Sequence, residues 1–500
     1  MVVVIDGNSL NLEDFIRVAI YNEKVELSNE ARKTVIENRK KVELMISKGE
    51  PIYGINTGFG ELVNLRIDEI KERELQINLL RSHSTGYGEP LKREFVRGII
   101  LSRANALAKG YSGVTPELID LLIEFLNKDI IPYIPEKGSV GASGDLSPLA
   151  HLALVLIGEW KIIDQGRIRN TSQVFKERGI KPLELKEKEG LSLINGTSYM
   201  LSLMAIAYWY AELAIRNSYI STAWSFSTLK ATDKALSLEL AKARNFPELI
   251  KVSEVIAKIT NDNDGVIWGR KTKVQDAYSL RCAPTVLASV LNTMKFVKET
   301  LERELNAATD NPLIFNEPIS GCNFHGEPIA LAADYLAIAL TDLGNIIERR
   351  IFRILDSKLS GLNPFLANNP GLESGLMISQ YVAAALCNEN KVLATPSSID
   401  NIPTSANQED HVSMGATSAR KLNQIVDNLI GIISIELLVN YKASLMYGIS
   451  GKYLTMVFEE LRGKLGDFKG DVALTPYIEK ISMMIKNGEL ISHFGNLFNI

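Results

Sequence analysis

Met200-Leu-Ser-Leu-Met-Ala-Ile-Ala-Tyr-Trp-Tyr210 is apolar on almost every side for about three helical turns before it meets Glu212. Leu429-Ile-Gly-Ile-Ile-Ser-Ile435, followed by Glu436, repeats the pattern far downstream. A helix that is greasy around most of its circumference must be packed on most of its circumference. Neither run reaches the roughly 20 uninterrupted apolar residues of a membrane span, so both read as buried core helices and no membrane partner is expected. Extending outward from them, apolar periodicity predicts long helices over 197–230, 285–308, 326–356, 374–395 and 411–447. The expected fold is mainly α, a central long-helix bundle that other chains help to complete.

The first part of the chain is more mixed. Residues 31–48 carry apolar positions at Val35, Val42, Leu44 and Met45, and 116–127 carry Leu118, Leu121, Leu122, Phe125 and Leu126 on one face. Strand signals are few: 2–5, and a hairpin of 161–163 with 167–169 around Gln165-Gly166. A smaller mixed N-terminal domain over 1–195 and a helical bundle domain over 196–500 are the expected division.

Composition narrows the function. With 500 residues, 46% hydrophobic and 23% charged, the chain has ordinary globular composition. Lys+Arg is 55 against Asp+Glu 59, a formal charge of -4, which leaves no electrostatic footprint for nucleic acid or anionic lipid. A small-molecule partner is the simpler expectation. Cys282, Cys322 and Cys387 are odd in number, widely spaced and form no Cys-x-x-Cys pair, as suits a reducing compartment. Met1 to Asp6 lacks a basic region, so no secretory signal is read there and a cytoplasmic location is expected. No His-Glu-x-x-His motif exists, and neither a metal nor a nucleotide is expected.

Chemistry concentrates in loops between the helices, at 53–60, 138–144, 310–312, 363–371 and 395–405. Four of the five histidines, His83, His151, His325 and His411, fall in or beside such segments. The most unusual stretch is Gly138-Ser-Val-Gly-Ala-Ser-Gly-Asp-Leu-Ser-Pro148. Ser147 and Pro148 suit an N-cap and first helical residue for an apolar helix over 149–157. A Gly-x-Ser-x-Gly nucleophile elbow is absent, and no strand leads in. Chemically, Ala142-Ser143-Gly144 can cyclise: the Gly144 nitrogen reaches the Ala142 carbonyl carbon because no side chain shields it. Loss of the Ser143 hydroxyl then leaves an electrophilic alkene conjugated to carbonyls.

That stretch, extended through His151, resembles the signature of the aromatic amino acid ammonia-lyases. Further blocks resemble the same family in the same order: Tyr53 to Gly60, Asn195-Gly-Thr197, Val274 to Cys282, Asn306 to Pro312, Asn323-Phe-His325 and Ser405 to Met414. The resemblance runs from near the N-terminus to about residue 450. It implies an ammonia-lyase/fumarase-like helical fold, a homotetramer with composite active sites, and a 4-methylidene-imidazol-5-one (MIO) electrophile made from residues 142–144. The implied reaction removes ammonia from an α-amino acid to leave an unsaturated acid. Ammonia leaves poorly and the β-hydrogen is barely acidic, so an internal electrophile that bonds the substrate relieves the difficulty.

Roles follow from the resemblance, residue by residue. Ala142, Ser143 and Gly144 supply the electrophile, and Asp145 assists its maturation; capping of a helix is compatible with that. Tyr53 is a candidate base for the β-proton, which requires a pKa well below the usual value of about 10. The loop that Tyr53 opens does not have phosphate-loop spacing. Gln275, Tyr278 and Arg281 are three apart and share a face if the segment is helical, with Pro284 ending or kinking that helix. By resemblance Arg281 clamps the substrate carboxylate, while Tyr278 and Gln275 line the pocket. Asn195, also a plausible N-cap, bonds the electrophile, and Phe324 packs against it.

Two residues bear on the substrate. His83, in Ser82-His-Ser84, stands where phenylalanine-specific members are apolar. Glu409, in Gln408-Glu-Asp-His411, is a carboxylate of the kind found in histidine-cleaving members; Ser405-x-x-Gln408 also reads as a capping box. A site built to bond a polar group rejects an apolar analogue by about 10⁴-fold or more. L-Histidine is therefore the expected substrate and urocanate the expected product. Glu409 and Tyr53 both remain open as the base. Ser198-Tyr199, Thr395-Pro396 and Gly321-Cys322 depart from the histidine-cleaving pattern and leave room for altered specificity. The alternatives are a phenylalanine or tyrosine lyase, an aminomutase, or an inactive helical scaffold in which the tripeptide never cyclises.

Overall fold

The structure is a computed structural model that describes residues 2–48, 72–261, 274–449 and 451–498. It is mainly helical, with a few short strands among the described residues. Two compact units are distinguished: Met1–Ile206 with Val297–Asp334 and Pro396–Arg420, and Ala207–Phe296 with Tyr335–Thr395 and Lys421–Ile500.

In the first unit β1 (Val2–Ile5) pairs in parallel with β2 (Lys24–Leu27), the latter too short and too charged to be read from sequence. The helix at Asn29–Ser47 starts two residues before the apolar pattern does. Ser28 caps it, its side chain accepting from the Ala31 amide. Helix α1 (Arg93–Ala108) is buried from Val96 to its end. Among its buried polar residues, Arg97 donates to the Val18 and Leu126 carbonyls at 3.0 and 2.9 Å. Packed against it, α2 (Pro116–Lys128) buries the predicted Leu118, Leu121, Leu122, Phe125 and Leu126, with Pro116 in its first turn and Asp129 in left-handed conformation at its end. The predicted hairpin is present as Lys161–Asp164 and Arg167–Asn170, turning through positive φ at Gln165 and Gly166.

Helix α3 (Leu146–Leu156) begins three residues earlier than 149, so Ser147 lies inside it and is not its cap. Asp145 stands at the N-cap instead, yet its carboxylate makes no bond to α3. It caps α4 (Ser198–Thr228), accepting from the Tyr199 and Met200 amides at 3.0 Å each. Asn195 is thereby displaced from the capping role that its position suggested.

The second unit holds most of the long apolar helices: the bulk of α4, much of α5 (Ala283–Leu305) and α6 (Glu327–Leu355), α7 (Met377–Leu393), and most of α8 (Gly415–Tyr447). Helix α5 opens at Ala283, so Pro284 starts a helix where the sequence suggested an ending; proline is tolerated in a first turn, whose amides lack partners anyway. Helix α8 starts four residues after 411 because the chain before it is pinned: Met414 donates to the Val140 carbonyl at 2.8 Å and Ser413 to Gly141 at 3.1 Å. By length and composition α6 and α8 are apolar enough to cross a membrane, but most of each is buried within this protein. The core they share contains a fully buried ion pair, Arg350 donating to both Glu436 oxygens, with Ser221 and Ser225 also on that carboxylate.

Candidate active site

The loop before α3 is held in a shape that only glycine permits at its end. Gly144 has φ +71°, and a Cβ there would lie 2.3 Å from the Gly196 carbonyl oxygen. The two glycines form a parallel bridge, and Asp145 donates its amide to that carbonyl at 2.7 Å. This close approach joins the electrophile loop to the turn that opens α4. Arg103, wholly buried, fixes the other side of that turn by donating to the Asn195 carbonyl at 2.8 Å.

Ser143 sits at the centre. Its hydroxyl donates to Glu409 Oε1 at 2.7 Å, and its carbonyl oxygen accepts from Asn195 Nδ2 at 2.9 Å. Glu409 is aimed by Thr404, whose hydroxyl donates to Oε2 at 2.7 Å. No right-handed helix begins at Ser405: Ser405, Ala406 and Asn407 form a single turn with positive φ, and Thr404 bridges Glu409. The capping-box reading is thus replaced by a loop that points Glu409 at Ser143. A cavity of about 500 Å³ opens over these groups, lined by Ala142, Ser143, Asn195, Phe324, Glu409 and the two histidines His325 and His411, among others.

Beside the loop lie two acids, Asp145 wholly buried and Glu304 partly so. Asp145 accepts from Ser139 Oγ at 2.7 Å as well as from α4. Burial raises its pKa to about 7, against the pull of those hydrogen bonds, and the charge of Glu304 adds to the rise. Glu304 is also pushed up by burial, with Thr197 donating to it at 2.6 Å. His83 is half-buried, with Ser82 Oγ 3.0 Å from its Nδ1. Burial lowers its pKa, while a hydrogen bond to the Leu79 backbone and the charge of Glu409 act the other way.

Of the residues singled out from sequence, Ala142, Ser143, Gly144, Asp145, Asn195, Phe324 and Glu409 are brought together, with His83 within the electrostatic reach of Glu409. Gln275, Tyr278 and Arg281 belong to the second unit. The helix there is a single turn, Tyr278–Arg281, and Gln275 precedes it, so the three do not share a helix face. Gln275 and Arg281 line a different cavity of about 430 Å³, and Tyr278 is exposed with the Arg281 guanidinium 4.7 Å over its ring. Tyr53 lies outside the described residues. Thr404, Ser413, Arg103 and Glu304 were missed by sequence reasoning. Ser413 fell inside a recognised block and Thr404 inside the 395–405 loop, while nothing local marks Arg103 or Glu304.

Comparison with known proteins places the chain in a family. The family described as aromatic amino acid lyase matches residues 10–463. A probable histidine ammonia-lyase of Thermoplasma volcanium is 50% identical over 491 residues, covering 98% of this chain and 99% of that protein. A histidine ammonia-lyase of Geobacillus thermodenitrificans is 45% identical, with 97% of each chain covered. The crystal structure of a tyrosine aminomutase from Streptomyces globisporus superposes with a TM-score of 0.95 at 35% identity, covering 100% of this chain and 99% of that one. The chain belongs to the aromatic amino acid lyase family.

Proposed function

We propose that the chain is a histidine ammonia-lyase, which removes ammonia from L-histidine and releases trans-urocanate. The observation that carries the reading is the carboxylate of Glu409 held 2.7 Å from the Ser143 hydroxyl in the cavity that both line. In this family that serine belongs to the electrophile, and the relatives that share 45–50% of this sequence are named for histidine.

The residues present fit an MIO group made from Ala142, Ser143 and Gly144. Gly144 has no side chain over its nitrogen, the Ser143 carbonyl that would become the ring carbonyl already accepts from Asn195, and the departing hydroxyl rests on a carboxylate. When formed, the group supplies an alkene carbon that accepts a nucleophile. Asn195, by donating to the conjugated carbonyl oxygen, draws electron density from that alkene. Asp145 anchors the loop for ring closure through its bonds to α4.

Around it the chain's own groups bind and move protons. Burial keeps His83 neutral at physiological pH, so its imidazole offers a hydrogen bond to the substrate ring without a cation's repulsion. Arg281 pairs with the substrate carboxylate, Tyr278 and Gln275 line the pocket, and Phe324 packs beside the ring. Glu409 or Tyr53 takes the β-proton. The family resemblance implies composite sites in a homotetramer, in which Gln275, Tyr278 and Arg281 of a pocket come from a different chain than its Ser143. The enzyme so read works in the cytoplasm on a free amino acid, with no nucleic acid or membrane partner.

The test is direct. Purified protein is mixed separately with L-histidine, L-phenylalanine and L-tyrosine, and near-ultraviolet absorbance is followed with product chromatography. A rise with histidine alone supports the reading. A rise with phenylalanine or tyrosine, or a β-amino acid product, moves the substrate or reaction within the family, and no product from any of them sinks it.

A further inference from the structure

Asn195 donates to the Ser143 carbonyl, and its direction is set from behind. It ends the short helix Glu189–Ile194, where its amide donates to the Leu191 carbonyl at 2.9 Å. Its own carbonyl accepts from Arg103 Nη1 at 2.8 Å. These two backbone contacts aim the side chain, whose Nδ2 meets the Ser143 oxygen at 2.9 Å. The same guanidinium packs on the next residue: a Cβ on Gly196 would lie 2.1 Å from Nη1, and 2.7 Å from Thr309 Oγ1 on the other side.

As packing alone, Arg103 is unfavourable. It is fully buried on α1. Burial lowers its pKa to about 10, and the charge of Asp310 opposes that fall, so it stays protonated at neutral pH. Asp310 is already engaged: Lys188 Nζ donates to its Oδ2 at 2.7 Å and Ser192 Oγ at 2.9 Å, with both members of the ion pair fully buried. Two buried cations therefore share this carboxylate. Arg103 Nε and Nη2 have no hydrogen-bond partner among the described residues. An apolar side chain of similar volume would fill the position without the desolvation penalty, so filling space does not account for the guanidinium.

We propose that Arg103 is a positioning residue for the lyase reaction: it holds the Asn195 backbone so that the amide donor stays on the carbonyl that tunes the electrophile, with Asp310 as its buried counter-charge. The block Asn306 to Pro312, which carries Thr309 and Asp310, gains a role by this reading. Arg103 is not among the groups lining the Ser143 cavity, so it acts through Asn195 and not on the substrate. The inference rests on the ring of the proposed function and not on the choice of substrate.

The test uses full-length protein, with intact mass counting the ring-bearing chains. Cyanide, a small nucleophile, is added without any amino acid. Its carbon bonds the alkene carbon and a proton from water completes the adduct, so each reacted chain gains the mass of one hydrogen cyanide. Arg103→Met leaves Lys188 and Asp310 as a balanced pair. It should form the ring yet add cyanide more slowly than wild type by about 10²-fold, with kcat for histidine falling alike and KM unchanged. In an Asn195→Ala background the same substitution should slow addition by no more than about 2-fold, because the two residues act as one unit. Arg103→Lys keeps the charge and should fall between; it carries the same cycle if the methionine variant does not fold. Equal rates in Arg103→Met and wild type, an undiminished effect in Asn195→Ala, or a ring-free Arg103→Met would each overturn the assignment. Full mass in wild type would sink the ring and this inference with it, whereas a ring-bearing wild type that ignores histidine would sink only the substrate reading.

Discussion

The Ser143 hydroxyl donates to Glu409 Oε1 at 2.7 Å, although 266 positions separate the two residues in the chain. The contact ties the tripeptide that would cyclise to the only carboxylate that sequence reasoning had placed in the pocket. Glu409→Gln keeps the hydrogen-bond geometry and removes the charge. If Glu409 is the proton acceptor, kcat falls by about 10²–10⁴-fold while intact mass still shows ring formation. Unchanged turnover would hand the base role to Tyr53.

Ring formation has its own signature. Active wild-type protein should weigh two waters less than the unmodified chain, and Ser143→Ala should show neither the mass loss nor turnover while melting at an unchanged temperature. Full mass in active material would remove the electrophile.

Gly144→Ala tests the close approach to Gly196. Its Cβ would meet backbone 2.3 Å away in a left-handed conformation, so the loop must move. The expectation is a loss of about 1–3 kcal/mol in stability together with unmodified mass, read by thermal denaturation and mass spectrometry.

Substrate choice rests on His83. Replacing it with leucine removes the polar partner, and kcat/KM for histidine should fall by about 10²-fold or more relative to phenylalanine. An unchanged ratio in competition assays would place specificity elsewhere.

His151 and Asp145 give opposite pH dependences. The buried His151 accepts from the Gly86 amide, and burial lowers its pKa to about 4 from 6.5. Between those values the unfolded chain binds more protons, so His151 contributes stability that is present above pH 6.5 and lost as pH falls toward 4. The folded pKa of Asp145 is raised to about 7 from 3.8, so its contribution declines as pH rises through the same window. Each acts with a slope of at most about 1.4 kcal/mol per pH unit. His151→Gln retains an acceptor for Gly86 and removes one slope. The wild-type advantage in melting temperature over this variant should grow from pH 4 to 6.5; a flat difference would contradict the burial assignment.

The helical scaffold was legible because its signals are local. The periodicity of 116–127, the Gln165-Gly166 turn and the all-round apolar run from Met200 each report on neighbours a few residues away, and helix formation obeys the same range. The charge balance that argues against a nucleic-acid partner is read for an equally local reason, since charge needs no fold to be counted. The blocks from Asn195 and Ser405 marked where chemistry would sit without saying what would touch what.

Which partner each polar group chose depended on chain closure. Ser147 reads as the cap of α3, yet Asp145 takes that position and its carboxylate serves α4, because the Gly144–Gly196 contact turns that oxygen toward Tyr199 and Met200. Ser405 to Gln408 reads as a helix start, yet bonds to residues near position 140 hold the following chain out of a helix until Gly415. Hydrogen bonds act within about 3 Å, and local pattern carries no record of which distant segments the packed core will bring that close.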